Sequence, residues 1–164
     1  MSSFEIRFSE LWTYESGKTS ERLPLSRLSD RGGHVHGRLE IEVNGVLLPY
    51  LGYFGPDDVC FNEWVFQLHS ALITLRSARR ISHTYDEGEQ GQPAFLFERD
   101  GDTLSVSIVA SDLSDGIADP DWQRVACNFA DFERSAATFL TTFRQHLHTV
   151  APKFAAEWWT RVAE

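Results

Sequence analysis

The stretch VHGRLEIEVNGVLLPYLGYFGPDDVCFNEWVFQLHSALITLRSARR, residues 35–80, decides the fold. Asn44-Gly45 separates two apolar runs, and both central residues of a type I′ hairpin turn need the positive φ that Asn and Gly tolerate. A two-residue loop there pairs Val43 with Val46, Ile41 with Leu48 and Leu39 with Tyr50, all on one face. His34, His36, Arg38, Glu40 and Glu42 take the other face, because side chains alternate along a strand. Pro49 has no N–H to donate, so the returning strand reads as a sheet edge, with Leu47 and Leu51 on its outer face. After Gly55-Pro56-Asp57-Asp58 the period changes from two to 3.6. Phe61, Trp64, Val65, Leu68, Leu72 and Leu75 form one helical stripe, with Asn62 placed to cap the helix. Arg76, Arg79 and Arg80 sit at its C-terminal end, where the dipole favours cations. Phe66 and Ile73 lie off the stripe and are expected to be covered by another element.

Outward from this unit, the remaining segments read in the same way. FEIRFSEL at residues 4–11 alternates, with Phe4, Ile6 and Phe8 on one side, as a half-buried strand. Residues 15–33 are polar and predict a long loop pinned by Leu23, Leu25 and Leu28. ISHTYD, residues 81–86, predicts a strand. Asp100-Gly101 predicts a second hairpin pairing Phe97 with Leu104 and Phe95 with Val106. Residues 111–121, SDLSDGIADPD, predict an acidic loop. WQRVACNF predicts a short strand, and a helix from about Asp131 buries Phe132, Ala136, Phe139, Phe143, Leu147 and Val150 until Pro152 stops it. A last short helix has Phe154 and Trp158 to bury. Hairpins in place of β-α-β crossovers predict one α+β domain over residues 1–164. Its expected form is an antiparallel sheet of about six to seven strands, with two main helices on one face and a short C-terminal helix.

The net charge of −9 is unevenly placed. Residues 1–40 hold six acids and six bases, whereas residues 81–133 hold twelve acids against Arg99 and Arg124, a local net of −10. Such a field repels nucleic acid and anionic membrane and attracts basic proteins. Stacked aromatics for RNA would need basic flanks that are missing here. No apolar run reaches the roughly 18–20 residues that span a bilayer, and the N-terminus has no secretory pattern. Cys60 and Cys127 lack partner spacing and read as free thiols of a reducing cytoplasm.

Two constellations could carry function. Asp112, Asp115, Asp119 and Asp121, with Trp122 beside them and Glu87 and Glu89 nearby, form a surface for a basic protein partner, since Trp is enriched at interface hot spots. Their spacing does not match a calcium loop. Alternatively Trp122 anchors the loop to the core. His34 and His36, at i and i+2 on a strand, share a face and could hold one metal with Glu40, Glu42 or His83. Their charged strand face reads first as a solvated one, so no metal or cofactor is expected. Nucleotide-binding glycine motifs, metalloprotease and hydrolase signatures and paired C-x-x-C are absent from the sequence.

The segments Glu42 to Leu48, Trp64 to Leu75 and Asp131 to Leu147 together resemble small uncharacterised bacterial α+β proteins. Some of these are similar to the immunity proteins that accompany polymorphic or contact-dependent toxins. The resemblance is architectural and implies a cytosolic stoichiometric binder without catalysis. The leading expectation is therefore a non-catalytic acidic inhibitor of a basic effector or toxin. The alternative is a small-molecule or metal-dependent enzyme using His34 and His36 in the sheet concavity. A homodimer through Phe66, Ile73, Trp158 and Trp159 is a third possibility; the chain is expected to be a monomer or homodimer.

Overall fold

A computed structural model describes residues 3–14, 21–29 and 33–163. Over these described residues the protein is α+β, with three α-helices and two antiparallel sheets. The first sheet is built around β1 (Phe4–Thr13) and β3 (His36–Val43). β2 (Leu23–Pro24) flanks β1, while β4 (Val46–Leu47) and β5 (Val59–Cys60) both pair with β3. The second sheet runs β6 (Arg80–Tyr85), β7 (Ala94–Asp100), β8 (Thr103–Val109), β9 (Val125–Asn128) in spatial order. One expected sheet is thus two. β4 stops after Leu47, because Pro49 cannot donate and Tyr50 takes φ 64°, so no long edge is left for further strands to join.

The Asn44-Gly45 turn forms as read, with φ 53° and 83° and Val43 opposite Val46. The Leu48 N–H reaches the Ile41 carbonyl at 2.8 Å. Beyond that the pairing ends, and Val46 and Tyr50 are exposed where the longer register would have buried them. Asn44 also ties the sheets together, donating from Nδ2 to the Ala126 carbonyl of β9 at 2.9 Å. In the second hairpin Asp100 pairs with Thr103, Phe97 with Val106 and Phe95 with Ile108. The loop is Gly101-Asp102, not Asp100-Gly101. Gly101, at φ 66°, takes the first loop position, where only glycine is free of strain. The shift moves each pair by two in register and leaves the same faces inward, so the core is unchanged.

Helix α1 (Phe61–Ser77) buries the predicted stripe. It begins two residues early, at Phe61 after a Cys60 cap. Asn62 instead braces the chain ahead of β3, accepting from the Val35 N–H at 2.9 Å and donating to the Gly33 carbonyl. Phe66 and Ile73 are 48% and 57% exposed, so the expected cover is absent among the described residues. α2 (Phe129–Val150) starts at Asn128, whose side chain accepts from the Ala130 N–H, about half a turn before the expected start. α3 (Ala155–Ala163) buries Trp158 and Trp159, which removes both from the homodimer surface. Leu25 and Leu28 are buried and Leu23 is half-buried, so they pin residues 21–29; residues 15–20 and 30–32 lie outside the described residues.

One buried cluster draws on both sheets and all three helices. Its centre is aromatic. Phe143, fully buried, packs against Phe8, Phe61, Phe139 and Trp158 at ring distances of 5.0 to 5.8 Å. Trp64 meets Tyr85 and Phe95 edge-on and donates its indole N–H to the Leu51 carbonyl at 2.9 Å. Phe143→Ala should cost about 3–5 kcal/mol by lost transfer energy plus cavity. Urea unfolding would measure it, and a loss below about 1 kcal/mol would contradict this packing.

Candidate functional site

The acidic loop, residues 111–121, is locked to the turn after β6. The Asp86 carboxylate accepts from Ser111 Oγ at 2.8 Å, from the Asp112 N–H at 2.8 Å and from the Gly88 N–H at 3.1 Å. Burial alone would raise the pKa of Asp86, but these donors outweigh it and hold the carboxyl below its ordinary value. Asp115 accepts from the Gly91 N–H at 2.7 Å, and Asp119 accepts from the Asp121 N–H at 2.9 Å. A Cβ on Gly116 would lie 1.9 Å from the Gln92 carbonyl oxygen, so only glycine lets the loop seat there.

Asp112, Asp115 and Asp121 are exposed and Asp119 is partly so. Trp122 is buried, 6% exposed, and accordingly serves the loop as an anchor to the core rather than as a surface contact. The uncovered apolar side chains are instead Leu113 at 70% and Ile117 at 79%. Elsewhere in the acidic window the charge is compensated. Asp100 meets Arg80, Asp102 meets Arg79, Glu98 meets Arg124 and Glu133 meets Arg76, while Asp131 pairs with Arg134. Among the described residues, Asp112, Asp115, Asp119, Asp121, Glu87 and Glu89 have no basic partner, and neither does Asp86, whose carboxylate is taken up by the Ser111 hydroxyl and backbone N–H groups.

The histidine pair lines a cavity of about 520 Å³, with His34 exposed and His36 half-buried. A β-bulge makes it. Glu10 takes φ 53° and puts two β1 residues opposite Gly37, whose missing Cβ leaves room for the Leu11 side chain and Ser9 carbonyl. The bulge places Trp12 across from His36 and turns Tyr14 toward His34. On the far side His36 pairs with Cys60 through the β3–β5 ladder. His34, His36 and Cys60 present ligand atoms within 4.8 Å of one another, with Cys60 Sγ 3.7 Å from His34 Nδ1. Asp58 Oδ1 lies 2.6 Å from His36 Nδ1. Tyr53 and Phe54 close one side, and Glu63, Glu87 and Glu89 make the cavity acidic.

The expected helpers are elsewhere. Glu40 and Glu42 bind Arg7, with Arg38 also on Glu40, and His83 faces Gln67 on α1. Cys60 meets the histidines only in three dimensions, because β5 is two residues long and its register with β3 leaves no local trace in the sequence. Burial keeps the pKa of His36 below the ordinary imidazole value against the pull of Asp58. Burial also pushes the Cys60 thiol up to about 11, with Glu63 and Glu87 adding to the rise against backbone N–H donors. Glu87 is pushed up to about 7, by burial first and then by Glu89 and Glu63. No family model, curated protein or solved structure gives a significant match to the chain.

Two outcomes follow from this geometry. Asp86→Ala should release the loop at a cost on the order of 1–2 kcal/mol, as its donors lose their acceptor. Amide hydrogen exchange would then accelerate over residues 111–116, and unchanged protection there would refute the latch. Glu87 binds more protons folded than unfolded between its ordinary value of 4.5 and about 7. Stability from this group is therefore present below pH 4.5 and lost as pH rises through 7. Glu87→Gln should flatten the difference between stabilities measured at pH 5 and pH 8.

Proposed function

We propose that the chain is a non-catalytic acidic binding protein of immunity type, acting in the cytoplasm to neutralise a basic effector or toxin by direct docking. One observation carries this reading. Within residues 81–133, the acids left without basic partners lie on or beside a locked loop that also presents two uncovered apolar side chains. Asp112, Asp115, Asp119 and Asp121 would steer a cationic partner, with Glu87 and Glu89 extending the field. Steering acts on the association rate and its salt dependence. Leu113 and Ile117 would supply the desolvated contact that slows dissociation. A loop held by Asp86, Asp115 and Gly116 loses little conformational entropy on binding. The absence of any helix long and apolar enough to cross a membrane, among the described residues, is consistent with this setting. The His34–His36 cavity favours a second reading, ligand or metal binding in its own right, on a different set of residues.

Affinity capture from the native host tests the first reading. The wild-type chain should retain a basic protein. Reversal of the four loop aspartates to lysine should slow association by at least about tenfold and flatten its salt dependence. Leu113→Ser with Ile117→Ser should instead raise the dissociation rate. If both variants hold the same protein with unchanged rates and salt sensitivity, the loop is not the docking surface.

A further inference from the structure

We propose that His34, His36 and Cys60 bind one divalent transition metal, with zinc the best match, and that Asp58 holds His36 in the ligating tautomer. The inference is independent of the docking loop. It rests first on backbone placement. His36 and Cys60 are register partners in the β3–β5 ladder, and His34 lies two residues before His36 on the same face. Zinc–nitrogen and zinc–sulfur bonds of about 2.1 and 2.3 Å put tetrahedral ligand atoms about 3.3–3.6 Å apart. Cys60 Sγ and His34 Nδ1 are already at 3.7 Å, and the whole set falls within 4.8 Å, so small side-chain rotations close it. Two imidazoles with one thiolate is a donor set that suits zinc.

The second support is an orphaned atom. Asp58 accepts a hydrogen from His36 Nδ1, which leaves the lone pair on Nε2. That Nε2 is buried and has no hydrogen-bond partner among the described residues. A buried acceptor without a donor is costly, and a metal ion relieves it. A carboxylate on the outer nitrogen of a ligating histidine is also the usual second-shell arrangement, fixing ring and tautomer together. On binding, the Cys60 S–H bond breaks, its proton leaves to solvent and a sulfur–metal bond forms. Three protein ligands would leave a fourth position for water or another ligand.

The test uses the full chain, reduced with a phosphine and titrated with Co²⁺ and, separately, Zn²⁺. Wild type should bind one equivalent, give a thiolate-to-cobalt charge-transfer band, and bind more tightly as pH rises, because a proton is released. Cys60→Ser should abolish the band. Asp58→Asn should keep it but weaken zinc affinity by about 10–100-fold. Cys127→Ala, at the other free cysteine, should change neither. Circular dichroism checks that each variant is folded. A wild-type chain with no band, a band that survives Cys60→Ser, or an affinity indifferent to Asp58→Asn would overturn the assignment.

Discussion

Strand β3 is held on both sides, by β1 along most of its length and by β4 and β5 at its two ends. That confinement fixes its register, and a strand's side chains then have no choice of face. Val35, Leu39, Ile41 and Val43 go fully into the core. His34, His36, Arg38, Glu40 and Glu42 go to the other side as a consequence. A slip of one residue would bury the histidines and charges and expose the core, a loss no local contact could offset. The position of the histidine pair is therefore a by-product of the packing, and everything in the cavity is placed relative to it.

What was legible in the sequence follows the range of each signal. The Asn44-Gly45 turn and the α1 stripe depend on neighbours a few residues away, and both form as read. The loop of the second hairpin lies one residue later than Asp100-Gly101, because Asp-Gly can use glycine at either central position and only the pairing of Asp100 with Thr103 decides. The face assignment survived, since it depends on parity alone. Cover is a tertiary property, which is why Phe66 and Ile73 turned out exposed and Trp122 and Trp159 buried. The hidden part of the site is also non-local. The bulge at Glu10 and the His36–Cys60 pairing each join segments more than twenty residues apart, and neither shows in periodicity.

Charge tells a related story. Read along the chain, residues 81–133 look uniformly acidic. In space the acids on the strands and on α2 meet arginines from other elements, for instance Asp100 with Arg80 and Glu133 with Arg76. Exposed pairs of this kind contribute little to stability, about 0–1 kcal/mol each, but they cancel field. What remains is concentrated on the loop and at the cavity mouth. The relevant quantity for a partner is this residual potential, which the count of acids overstates over most of the window and locates only once the pairs are known.

The same residual potential joins the cavity to the loop in physical terms. Glu63 and Glu87 stand near Cys60, and burial together with their charge keeps its thiol protonated. A proton is the smallest cation that can relieve such a site. A divalent ion relieves it further, since it replaces one positive charge with two, satisfies the orphaned His36 nitrogen and accepts the thiolate that burial alone disfavours. The features that make Cys60 a poor free nucleophile are therefore not evidence against its being a ligand. They describe a pocket whose acids, imidazoles and thiol would all favour positive charge.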